Sequence, residues 1–341
     1  MRPRFALWLL VLGLALLGSL TLAVMLGPVP IAAGEVWRIA WARLGGNLEP
    51  TWSAAQENIV WFLRFPRVLL GAVVGASLAV AGVVMQALVR NPLADPYLLG
   101  VSSGASTGAV LALASGWLGF AGLYGVSLGA FLGALLSLGV VLALARLGGQ
   151  TTPTRLILAG VAVAYLFSGL TSLITLTGER ELARAALSWL LGSLSGSQWN
   201  ELGLPSLVLL LCTLALLFSS RALNAIAVGD ETATTLGLEV PRLRRRLMLL
   251  ASLLTAVAVA VAGAVGFIGL MLPHMARFLA GADHRRLLPL AALLGAIFTI
   301  WVDVGARMLF APQEVPLGVI TALLGTPFFL WLMLTRREVQ R

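Results

Sequence analysis

The side chains with which most protein chemistry begins are scarce in this sequence. All 23 basic residues are arginine. With no lysine there is no Walker A phosphate loop and no Schiff-base catalysis. One cysteine, Cys212, excludes an internal disulfide, a Cys-ligated cluster and a Cys-rich zinc site. His274 and His284 are the only histidines and leave little for a His-based metal centre. Gly100-Val-Ser-Ser-Gly104 fits the G-x-S-x-G nucleophile elbow, but Gly100, Gly104 and Gly108 recur every four residues. That spacing lines one helix face with small residues for close packing, and no histidine lies nearby in sequence.

Four other groups invite a functional reading. Gly229-Asp-Glu-Thr-Ala-Thr-Thr-Leu-Gly237 carries Asp230 as an expected N-cap, Glu231 in the first turn and Gly237 as a C-terminal cap. It reads as a short polar helix, either a capped connector or a docking element for another protein. Asn91-Pro-Leu-Ala-Asp-Pro96 reads as an ordered turn. Asp303 and Arg307, four residues apart, suit an ion pair on one helix face, although a carboxylate within an apolar run is also a functional suspect. Arg64, Arg67 and Arg307 are expected to present exposed guanidinium forks to carboxylates, whether of acidic lipid, an anionic substrate or an external protein.

The elements that position these residues follow from composition. Of 341 residues, 59% are hydrophobic and 11% charged, against about 45–50% and 25% in soluble domains. So much apolar surface requires lipid as solvent, and there is room for roughly eight to eleven spans of about 20 residues. Apolar runs at 5–27, 66–88, 97–114, 122–145, 155–176, 202–220, 246–265, 266–281, 287–305 and 317–335 predict ten, with both termini on one side. The run from Phe5 to Leu26 is too long for a signal-peptide core and reads as a retained first span. A cytoplasmic N-terminus puts sixteen arginines inside and seven outside, satisfying the positive-inside rule. The net charge of +9 then reflects basic loops facing anionic lipid, with no nucleic acid implied. Segments 28–65 and 177–200 fall outside the spans; the first reads as an amphipathic helix on the outer face and the second as a short re-entrant or surface helix. Ala79-Val-Ala-Gly82 recurs as Ala260-Val-Ala-Gly263, a short echo consistent with an inverted repeat.

Longer blocks carry a family resemblance. They include Leu63-Arg-Phe-Pro-Arg67, Asn91 through Ala105, Leu158-Ala-Gly-Val161, Trp189 to Trp199 and Gly229 to Gly237. Met85-Gln-Ala87, Gly266 to Arg277, Asp283-His-Arg-Arg-Leu-Leu-Pro289 and Val315 to Trp331 complete the set. In order and spacing they resemble permease subunits of bacterial ABC importers for iron-siderophores, haem and cobalamin (the FecCD/BtuC type), across about residues 5 to 335. The resemblance implies one all-α polytopic domain over 1–341, the type II importer fold with about ten transmembrane helices, in the bacterial inner membrane. It also implies a second copy of the chain, two cytoplasmic ATPases that bind ATP and Mg, and a periplasmic or lipid-anchored binding protein. This chain would then be no enzyme and would bind no cofactor. Asp230, Glu231, Ala233 and Gly237, within a coupling region at about 221–242, resemble the motif that importers insert into an ATPase cleft. Arg64, Arg67 and Arg307 would receive acidic residues of the binding protein. Thr151, Thr152 and Thr154 resemble a cytoplasmic gate. Gly160, Ala164 and Ser168 would line the pathway, although small residues suit helix packing equally. The cargo implied is an iron(III)-siderophore or haem, with cobalamin as the alternative. A secondary transporter would need carboxylates along the spans, which apart from Asp303 the sequence does not offer.

Overall fold

A computed structural model describes residues 3–147 and 152–339, and these are helical with no strand. The chain begins with α1 (Pro3–Met25) and α2 (Ala33–Arg43). Then α3 (Ala54–Glu57), a π-helical stretch (Asn58–Arg64) and α4 (Phe65–Val89) run on as one rod of 36 residues. Next come α5 (Val101–Ser115), α6 (Gly125–Leu147), α7 (Pro153–Thr177) and α8 (Arg180–Leu190). They are followed by α9 (Gly203–Phe218), α10 (Ser220–Val228), α11 (Asp230–Thr235) and α12 (Val240–Ala262). The chain closes with α13 (Ile268–Ala280), α14 (His284–Met308) and α15 (Leu317–Val339). Seven described helices are long and apolar enough to cross a membrane, and α5, α13 and the Leu317–Leu332 part of α15 add three shorter apolar ones. These coincide with the ten expected runs.

The rod ending in α4 is the hub. In its apolar window 83% of residues are buried, against 22% in α1, α7 and α9, so the latter three face outward. Helix α4 packs on α14, α12 and α13, and α5 packs on α6. The α5–α6 crossing explains the glycine stripe. A Cβ on Gly108 would lie 2.0 Å from the Gly129 carbonyl oxygen, and one on Gly104 would lie 2.4 Å from that of Gly133. The G-x-S-x-G match is therefore a packing surface. The short echo has no common role, since Gly82 abuts Gly269 inside a crossing whereas Gly263 ends α12 at φ +70°.

Two boundaries differ from the sequence reading: the rod that ends in α4 starts at Ala54, within the segment expected to lie outside the spans, and α12 starts early. Helix α12 begins at Val240, so Arg242, Arg244, Arg245 and Arg246 lie on its first turns instead of in a loop. Basic residues are unfavourable there, and two are compensated. Arg244 pairs with Asp230 at 2.7 Å, and Arg242 pairs with Glu239. Segment 177–200 is α8 followed by an irregular stretch that helix ends satisfy. Ser193 N donates to Ala262 O (2.9 Å), and Leu317 N and Gly318 N donate to Gly192 O and Leu191 O (both 2.9 Å). Non-helical backbone at membrane depth survives only with such partners.

Candidate functional site

Chemistry-bearing residues gather in three places. The first is the stub α10–α11. Asp230 is the first helical residue and the N-cap is Gly229, so the expected N-cap is displaced by one. The Asp230 carboxylate turns to Arg244 instead and lies 3.9 Å from Arg90. The C-cap is Leu236, and Gly237, expected as the cap, is the left-handed residue just past it that closes the helix. The Gly237 N–H reaches Thr234 O (2.9 Å), Leu238 N reaches Ala233 O (3.0 Å), and the Gly237 φ of +79° is one that a side chain would strain. Ala233 is fully buried against the body, Glu231 is exposed, and Val228 and Leu236 project apolar surface. Beside the stub lies a cleft of about 510 Å³ lined by Thr152, Arg146, Asp230, Thr234 and Arg244. Thr152 caps α7, accepting from Arg155 N at 3.3 Å, and Thr154 is exposed. Thr151 lies outside the described residues.

The second place is a cleft of about 570 Å³ on the outward face of α7. Gly160, Ala164 and Ser168 all line it, as does the parallel row Val161 and Tyr165. Gly160 also fulfils the packing reading, because a Cβ there would meet Leu98 O at 2.0 Å. The opposite wall is Gly266, Phe267 and Leu270, with Phe267 held at φ +67°. Asp95 and Tyr97 form the third side. Asp95 accepts from Tyr97 N (2.8 Å), and burial pushes its carboxyl up to about 6. The Tyr97 hydroxyl donates to Val265 O (2.9 Å) and accepts from Val265 N (3.0 Å). The sequence reading of 91–96 as an ordered turn missed Asp95 as a lining group. Its only signal was a carboxylate followed by proline and tyrosine.

The third place is at the opposite end. Arg64, Arg67 and Arg307 were expected to be exposed, but they are 6, 8 and 8% accessible. Each turns inward. Arg64 donates to Val24 O (2.8 Å), Met25 O (3.1 Å) and Val29 O (2.7 Å), and Arg307 to Ala23 O (3.1 Å) and Leu26 O (3.4 Å). Two guanidiniums thus satisfy the carbonyls that close α1, where cations are favoured. Arg67 reaches Asp303 (2.8 Å) and forks onto Glu314 (2.8 and 2.9 Å), while Arg307 pairs with Asp303 at 3.1 Å. The Asp303–Arg307 pair is as the spacing predicts. Arg67 and Glu314 complete it from far along the chain, and sequence reasoning missed Glu314 altogether. The three arginines, expected as separate exposed forks, lie together and buried, Arg64 and Arg307 against the end of α1 and Arg67 against Asp303 and Glu314.

Comparison with known proteins adds to this geometry. Residues 14–335 match the model of the FecCD transport family. The cobalamin import system permease protein BtuC of Halobacterium salinarum is 40% identical over 92% of this chain and 83% of its own. The hemin transport system permease protein HmuU of Yersinia pestis is 44% identical over 84% and 87%. The Fe(3+) dicitrate transport system permease protein FecD of Escherichia coli is 39% identical over 95% and 97%. A solved structure described as a metal-chelate type ABC transporter in an inward-facing conformation superposes with a TM-score of 0.83, at 32% identity over 96% of this chain and 98% of that one. The protein is therefore a polytopic α-helical membrane protein that belongs to the FecCD transport family.

Proposed function

We propose that this chain is the passive conduit of an ATP-driven importer for metal chelates, working in the bacterial inner membrane with both termini cytoplasmic. The carrying observation is the stub. A buried Ala233 anchors it, exposed Glu231, Val228 and Leu236 face away from the body, and Asp230 ties it to α12 through Arg244. That is the surface a cytoplasmic ATPase would grip, and ATP and Mg belong to that partner. Stub motion would pass through Arg244 to α12 and, across the shared cleft, to Thr152 at the start of α7. Thr151, Thr152 and Thr154 would be the gate, and Gly160, Ala164 and Ser168 the pathway wall. The α7 cleft opens on an outward face, so a second copy of the chain is needed to close it into a channel.

The cargo class is an iron(III)-siderophore or haem, with cobalamin as the alternative. Relatives named for cobalamin, hemin and ferric dicitrate lie at similar identity. A binding protein would deliver cargo at the outer mouth. Its acidic residues reach Arg67 by displacing Glu314, whose side chain is 40% exposed. Arg64 and Arg307 would shape that mouth by holding the end of α1. The reading is tested by reconstituting the chain with the ATPase and binding protein encoded beside it and measuring uptake of labelled ferric siderophore, haem and cobalamin. ATP-dependent uptake of one is expected. Equal uptake by vesicles without the ATPase would refute the proposal.

A further inference from the structure

A groove of about 1250 Å³ lies where the start of α1, the end of α9 and the start of α14 meet. None of the roles above uses it. Its walls are apolar, with Phe5 and Leu9 from α1 and Leu214, Leu217 and Phe218 from α9. Its rim is basic, with Arg221 from α10 and Arg285 and Arg286 from α14. Arg221 and Arg285 are exposed. Asp283, the one acid on the lining, is already engaged. It accepts from Asn224 Nδ2 (3.0 Å) and Arg285 N (3.1 Å), and the Asn224 bond foremost holds its carboxyl below the usual range. Arg286 Nε lies 3.7 Å from it. Three guanidiniums against one carboxylate leave the rim net positive. Helices α1 and α9 are among the least buried of the spans, so the groove opens toward lipid.

We propose that this groove binds an anionic diacyl phospholipid of the leaflet on the α10–α11 side, its phosphate on the three arginines and an acyl chain along Phe5, Leu9 and Leu217. Basic pockets between spans at the membrane surface recognise anionic head groups, and guanidinium forks match phosphate oxygens. The apolar walls distinguish a lipid from a free phosphate, and the positive rim distinguishes an anionic lipid from a zwitterionic one. Arg221 lies on α10, and Asn224, one turn further, accepts from His284 N at 3.0 Å. A bound phosphate therefore braces α10, the base of the stub, against α14.

The test uses the full chain in detergent, titrated with phosphatidylglycerol or with phosphatidylcholine of the same chains, and counts retained lipid by native mass spectrometry. Phosphatidylglycerol is expected to bind at least tenfold more tightly. Arg221→Gln, Arg285→Gln and Arg286→Gln should each weaken it about fivefold, and Leu9→Trp should reduce retention of both lipids by filling the wall. Millimolar glycerophosphate should not displace the lipid. Equal retention of the two lipids by the unaltered chain overturns the proposal without any variant. So does unchanged retention in the triple arginine variant with an unchanged melting temperature, or displacement by glycerophosphate, which would mark a site for the anion alone.

Discussion

The buried charge cluster at the end of α1 offers a quantitative test. Asp303 is 1% accessible, lies 2.8 Å from Arg67 Nε and 3.1 Å from Arg307 Nε, and is paired with both arginines. Asp303→Asn leaves the side-chain volume nearly unchanged but removes the charge. Arg67 then keeps Glu314 as its charged partner, and Arg307 loses its paired carboxylate but keeps the carbonyls of Ala23, Leu26 and residue 303 itself. Removing one partner of a buried pair costs about 3–5 kcal/mol. An asparagine carbonyl can still accept a hydrogen bond, so about 3 kcal/mol is the expected loss. Glu314→Gln is the internal control. That side chain is 40% exposed, and neutralising a solvent-screened partner costs about 1 kcal/mol or less. At about 2 °C per kcal/mol for a long chain, the melting temperature should fall by about 6 °C for Asp303→Asn and by no more than about 2 °C for Glu314→Gln.

The chain supplies its own reporter. Cys212, the single cysteine, is 3% accessible on α9, so the rate at which a fluorogenic maleimide labels it on heating follows opening of the fold. Unfolding of a membrane protein is often irreversible, so all variants are compared at one scan rate. Pairing Asp303→Asn with Arg307→Gln removes both members of one pair and should lose less than the sum of the single losses. If Asp303→Asn shifts the transition no more than Glu314→Gln does, the cluster is not held by buried charge and the argument from burial fails.

Three further outcomes follow from the other sites. Glu231→Ala and Gly237→Val should abolish ATP-driven uptake while leaving membrane insertion intact, the second by forcing a β-branched residue to φ +79°; normal uptake would refute the coupling role. Ala164→Trp and Ser168→Trp, on the open wall of the α7 cleft, should block uptake at least tenfold with a melting temperature within about 2 °C of the parent. A tryptophan at Gly160 should instead unfold the chain, because the Leu98 carbonyl occupies the space. Asp95 is pushed up to about 6 from 3.8, so the folded chain holds a proton that the unfolded chain releases as pH rises through that window. Its contribution to stability is therefore lost between about pH 4 and 6. Asp95→Asn, which keeps the acceptor for Tyr97 N, should flatten that part of a melting-temperature profile against pH, and an identical profile would contradict it.

What was legible in the sequence was what the chain settles locally. Apart from Gly100, which precedes α5 as its left-handed N-cap, the glycine stripe (Gly104 and Gly108), the Asp303–Arg307 pair and the Gly237 turn all follow from one helical repeat or one turn. The structure places each as that periodicity requires. Gly160, Ala164 and Ser168 share one cleft for the same reason, being one turn apart on α7. What was not legible was set by residues remote in sequence. Nothing near Arg64 indicates that the carbonyls of Val24 and Val29 will close over it, and nothing near Arg67 indicates Asp303 and Glu314, 236 and 247 positions away. The same arginine spacing would read as an open fork on any chain whose first helix ended elsewhere. Asp230 failed in the same manner. As a local matter it is a good N-cap, but Arg244, fourteen residues on, offers its carboxylate a charged partner at 2.7 Å, and the extended Gly229 takes the capping position. The Arg244 bond joins two full opposite charges, whereas an N-cap bond would join the carboxylate to an uncharged N–H, so the tertiary partner prevails over the local one. In an arginine-only chain each carboxylate is therefore best assigned by first asking which distant guanidinium the packing brings to it.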